Sequence, residues 1–75
     1  MATKKFCVIG LGYFGSNLAR SLTKNGAEVL AIDKDIRRVE EVQDEVAVAV
    51  MLDSTDKDAL SSQGVQDFDA VIVAI

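Results

Sequence analysis

Apolar residues follow two patterns that alternate along the chain. Short unbroken runs occur at Phe6–Ile9, Val29–Ile32, Ala47–Leu52 and Ala70–Ile75. They are rich in Val and Ile and too short for ordinary helices, which predicts strands covered on both faces. Between them the spacing turns helical. Phe14, Leu18 and Leu22 recur every four residues before Asn25-Gly26, a stop signal. Ile36, Val39 and Val42 recur every three, with Arg37, Arg38, Glu40, Glu41 and Asp44 on the other face. Thr55, with Asp58 completing a partial capping box, is expected to open a third, shorter helix around Ala59 and Leu60 that Gly64 ends.

The predicted order is β-α-β-α-β-α-β with short connections. Strands joined through single helices run parallel with right-handed crossovers. The expected fold is therefore α/β: the N-terminal half of a Rossmann-like, doubly wound parallel sheet in the order 3-2-1-4. Residues 1–75 are expected to form one domain. In that order the run Ala70–Ile75 is an edge strand, and Val71, Ile72, Val73 and Ile75 lack a covering helix on one face. Each such side chain left in water forgoes about 1.5–3 kcal/mol, and an open apolar edge invites association. The expectation is that this is the first part of a larger domain, completed by further residues or by another chain.

Composition narrows the chemistry. With 8 Lys+Arg against 12 Asp+Glu the net charge is -4, so no electrostatic grip on nucleic acid is expected. The absence of His removes imidazole catalysis, and a single Cys gives neither an internal disulfide nor a zinc ligand set. No apolar run approaches the roughly 20 residues of a membrane span, and Met1 to Lys5 lacks the core of a signal peptide. A soluble chain in a reducing compartment is expected.

The informative segment is Val8-Ile9-Gly10-Leu11-Gly12-Tyr13-Phe14-Gly15. It places Gly-x-Gly-x-x-Gly between the first strand and the first helix. Gly10 permits a tight turn, Gly12 the close approach of a pyrophosphate, and Gly15 close packing of helix on strand. The free amides and dipole of that helix end favour an anion. Asp33 ends the second strand about twenty residues on, where a carboxylate accepts from the adenosine ribose hydroxyls. The competing role for Asp33 is a helix cap, for which Asp35 is better placed. Lys34, Arg37 and Arg38 introduce positive charge just beyond the acid. A basic residue there can hold a 2′-phosphate, and Arg38 can lie over an adenosine or a phosphate, whereas the retained acid favours NAD. Asp53 and Ser54 face the adenine half, with Thr55 the weaker candidate; all three also suit a helix entry. Cys7 is read as core packing, Tyr13 as a phosphate cover or plain surface, and Phe68 as packing at the sheet edge.

Phe6-Cys7-Val8-Ile9-Gly10-Leu11-Gly12-Tyr13-Phe14-Gly15-Ser16 resembles the opening of Trk/Ktr-type potassium-uptake regulatory subunits, the RCK (KTN) N-terminal domains. Glu28–Asp33, Asp53-Ser54-Thr55-Asp56 and Phe68–Ile75 fit in the same order. The resemblance implies a cytosolic regulatory subunit that is not an enzyme. It implies a homo-oligomeric, dimer-based ring, often octameric, on the inner face of the membrane beneath a potassium-conducting subunit. Bound there would be NAD(H), with ADP or ATP as the other candidates. The implied contacts are Gly10, Leu11, Gly12, Tyr13 and Phe14 at the phosphates, Asp33 at the ribose, Asp53 and Ser54 near the base, and Ile75 at the last strand's end. Gly15, Lys34 and Arg38 join the candidate site from the reading of the residues above. Some relatives carry Arg where this chain has Tyr13; its loss shifts the expectation from ATP toward NAD. Relatives also continue through further strands and a crossover helix that supply the dimer contact and part of the pocket. The competing expectation is the N-terminal piece of an NAD-dependent dehydrogenase, which would use the same glycines and Asp33.

Overall fold

The computed structural model describes residues 3–75. Strand β1 (Lys5–Ile9) leads into helix α1 (Tyr13–Lys24), then β2 (Glu28–Asp33), α2 (Ile36–Val42), β3 (Val48–Met51), α3 (Lys57–Ser62), a 3-10 turn at Val65–Asp67, and β4 (Ala70–Val73). The sheet order is β3-β2-β1-β4 and every pairing is parallel, as the alternation of patterns requires. The outer strands are shorter than their apolar runs. Ala47 and Leu52 flank β3, and Ala74 and Ile75 lie beyond β4.

Residues one apart on a strand face opposite ways, so the core has two sides. Val8, Val29 and Ala31 pack beneath α1 and α2 against Leu11, Ala19, Val39, Val42 and Val46. Cys7, Ile9, Leu30 and Ile32 form the other side with Leu60, Val65 and Phe68. The Cys7 thiol is buried, and burial pushes it up to about 11, in keeping with packing rather than redox chemistry. The helical stripes are buried only in part, because Phe14 and Ile36 stand exposed where their helices begin.

Helix α1 stops as its sequence predicts. Gly26 takes φ +92, the Ala27 amide donates to the Leu22 carbonyl and the Gly26 amide to that of Thr23. Those two bonds cover carbonyls that a helix end leaves open. The start of α3 differs from expectation. Asp56, not Thr55, is the cap, and its carboxylate accepts from the Ala59 amide at 3.1 Å. Thr55 gives its own amide and hydroxyl to Asp53 instead, at 2.9 and 2.7 Å. A carboxylate one residue nearer the helix competes better for its free amides, and Thr55 is already engaged.

At the β4 edge, Val71 and Val73 stand opposite Cys7 and Ile9 on the α3 side of the sheet and remain exposed. Ile72, expected among the uncovered residues, instead points to the other side and packs against the core beneath α1 and α2, with Ala74.

Candidate functional site

The carboxyl ends of the four strands converge on one cavity. Three backbone bonds extend the sheet into its floor: the Gly10 amide donates to Ile32, Leu52 to Asp33, and Ala74 to Ile9, at 2.8, 3.0 and 2.8 Å. Crevices at this end, where strand order reverses between β1 and β4, are where such sheets bind ligands. The cavity measures about 380 Å³, within the range of small-molecule sites.

The three glycines of the loop have different reasons to be glycine. Gly10 has φ +95, a left-handed conformation that disfavours side chains, and a Cβ there would sit 3.1 Å from the Ala74 carbonyl and from Ile75. Gly15 lies where a Cβ would run into the Gly10 carbonyl, so helix and strand touch backbone to backbone. Gly12 differs. A Cβ there would meet nothing nearer than an Arg38 guanidinium nitrogen at 3.9 Å, so the protein itself does not need the space. Gly12 also caps α1 with no side-chain acceptor, and the first bond of the helix runs from the Ser16 amide to the Gly12 carbonyl at 2.9 Å. Open space, free amides and the positive end of a twelve-residue helix fit a diphosphate at this position.

Asp33 turns toward that loop. One carboxylate oxygen accepts the Leu11 amide at 2.7 Å and the other accepts the Asp35 amide at 2.8 Å. A carboxylate has about four lone-pair sites, so two hydroxyls of a ribose can still be accepted. Asp35 is the cap of α2, accepting the Arg37 amide at 2.9 Å. That bond, followed by those from the Arg37 side chain, holds the Asp35 carboxyl below its ordinary value. Asp53 is held low in the same manner, by the Thr55 amide first and the Thr55 hydroxyl next, with a smaller contribution from the Lys34 charge.

Of the candidate site residues named from sequence, Gly10, Gly12, Asp33, Lys34, Arg38, Asp53, Ser54 and Ile75 line the cavity, as does the weaker candidate Thr55. The other four do not. Leu11 is buried in the core and its amide is taken by Asp33. Gly15 is buried in the helix–strand contact. Tyr13 and Phe14 are 89% and 65% exposed, so only their backbones belong to the loop. The apolar wall of Ile9, Ile32, Leu52 and Ala74 was not singled out from sequence. The signal was present, because each lies at or just beyond the carboxyl end of a strand.

Residues 6–75 match the family described as the TrkA-N domain. The chain is 46% identical to the Ktr system potassium uptake protein C of Bacillus subtilis over 72 residues, which are 96% of this chain and 33% of that protein. It is 40% identical to the Ktr system potassium uptake protein A of the same organism, again over 96% of this chain and 32% of the relative. A UDP-N-acetyl-D-mannosamine dehydrogenase of Methanococcus vannielii matches over 40 residues at 48% identity, covering 53% of this chain and 9% of the enzyme. The chain thus spans about a third of the potassium-uptake relatives' length.

Proposed function

The chain belongs to the TrkA-N domain family, and from that premise we propose that it is the nucleotide-binding part of a regulatory subunit of a potassium-uptake system. The observation that carries this reading is the join between Asp33 and the glycine loop. A ribose acceptor and an open, uncapped helix end face one cavity and are tied through the Leu11 amide at 2.7 Å. The ligand is NAD(H), with ADP or ATP as competitors. Gly10, Gly12 and the amides of Tyr13 and Phe14 surround the diphosphate with Arg38 leaning over the Gly12 end of the loop, and Asp33 holds the ribose with Lys34 beside it. Asp53 and Ser54 meet the base, and Ile75 supplies apolar wall. Leu11 and Gly15 act through the loop's shape.

The chain has no imidazole, its one Cys is buried outside the cavity, and the cavity's carboxylates Asp33 and Asp53 already accept backbone amides. That supports sensing over turnover. The dehydrogenase likeness covers little more than half of this chain and 9% of that enzyme. The proposed setting is a homo-oligomeric, dimer-based ring at the cytoplasmic side of a membrane-embedded potassium-conducting partner. No helix of the described residues is long and apolar enough to cross a membrane. A nucleotide regulates such an assembly by binding one arrangement more tightly than another.

The test is potassium flux through the reconstituted transporter with the full-length protein, with and without NADH, ADP and ATP. Nucleotide-dependent flux that is lost in Asp33→Ala is expected. Flux indifferent to every nucleotide while calorimetry shows the site filled contradicts the reading.

A further inference from the structure

Of the three cations around the exit of β2, only Arg37 has a carboxylate at ion-pair distance among the described residues. Arg37 lies against Asp35, with Nε and Nη2 each 3.4 Å from its carboxylate. Lys34 reaches Asp53 only through space, with no ion pair between them. Among the described residues Arg38 has no carboxylate at ion-pair distance, and its charge reaches Asp35 only through space. Its recorded hydrogen bond runs from Nη1 to the Leu11 carbonyl at 3.4 Å, long for a bond of this type. The same nitrogen stands 3.9 Å from the position a Gly12 Cβ would take. A cation with five donors, one of them weakly used, therefore leans over the uncapped end of α1.

An anion entering this cavity meets the carboxylates of Asp33 and Asp53 as well as the helix end. Chain-wide charge is also negative, at -4. The free amides answer part of the ligand's charge, and a guanidinium matches two phosphate oxygens at once. Given the nucleotide-binding reading of the cavity, on which the assignment rests, we propose that Arg38 is the residue that reads the phosphates. On binding, its guanidinium leaves the Leu11 carbonyl for the diphosphate, while Asp33 keeps the ribose. Division of labour follows: Asp33 selects a nucleoside, and Arg38 selects its phosphorylated form.

The experiment titrates the full-length protein with adenosine, AMP, ADP and NADH, by calorimetry for tight ligands and chemical-shift changes for weak ones. Unsubstituted protein, Arg38→Gln and Arg38→Lys are compared. Arg38→Gln is expected to weaken ADP and NADH by about 10- to 100-fold and to leave adenosine unchanged. Arg38→Lys recovers part of the loss, since an ammonium restores charge without the fork. The unchanged adenosine affinity reports an intact fold. Equal losses for adenosine and ADP place the guanidinium on the base and overturn the assignment. No loss for any ligand overturns it too, while leaving nucleotide binding itself in place. Failure of the unsubstituted protein to bind either ADP or NADH removes both.

Discussion

The glycine loop and the Asp53–Thr55 turn face the same cavity, yet distant residues hold the first and immediate neighbours hold the second. The loop is fixed by Ile32 accepting the Gly10 amide, by Asp33 accepting the Leu11 amide and by backbone contact between Gly15 and Gly10. The turn is fixed by Thr55 bonding to Asp53 two residues away, in an exposed position. The proposed phosphate and ribose side of the cavity is thus held by the same contacts that hold the fold, whereas the proposed base side is held locally. Substitutions separate the two.

The largest effect is expected beneath the loop. Ile32→Ala removes a fully buried side chain under the cavity and should cost about 2–5 kcal/mol in urea denaturation. Gly15→Ala, which forces a methyl into the Gly10 carbonyl, should cost about 1–3 kcal/mol and abolish nucleotide binding as the loop shifts. Gly12→Ala sharpens the contrast, because its methyl meets only open space and Arg38. Stability should change by less than about 1 kcal/mol, while NADH affinity measured by calorimetry falls at least tenfold. Equal stability losses for Gly12→Ala and Gly15→Ala would mean that the loop's glycines are all structural.

The smallest effect belongs to the turn. Thr55→Val deletes the hydroxyl that helps hold the Asp53 carboxyl low, so carboxyl NMR should show its titration moving upward toward the ordinary value. A carboxyl depressed in the folded state favours folding above its unfolded value and loses that contribution as pH falls through the folded one. Asp53 is exposed, so the melting temperature at neutral pH should hardly move. A large drop would show that the turn is tied to the core after all.

These two regions also differ in how much of them the sequence revealed. The loop was legible because two of its requirements are backbone requirements: a positive φ at Gly10 and contact at Gly15 each demand glycine, and Gly12 completes the spacing although the fold leaves room there. The strand order followed from the alternation of Val- and Ile-rich runs with helical spacing. The start of α3 was misplaced because Asp53, Ser54, Thr55 and Asp56 are all competent caps, and pairing decides among them. The Leu52 amide reaching Asp33 and Thr55 reaching Asp53 leave Asp56 as the cap. Leu11, Tyr13 and Phe14 were named together from a motif, but Leu11 is buried and the two aromatic side chains point outward. Spacing alone does not distinguish a residue that contributes its amide from one that contributes its side chain. Arg38 was legible as a nearby cation, and only the geometry shows that Arg37 is paired with Asp35 while the Arg38 guanidinium leans toward the Gly12 end of α1.

A crystal structure of the full-length protein grown with NADH puts the central claim to the most direct test. The account predicts diphosphate density against the Gly12, Tyr13 and Phe14 amides and both adenosine ribose hydroxyls on Asp33. A nucleotide seated elsewhere, or a ribose out of reach of the Asp33 carboxylate while the loop stays empty, would contradict it.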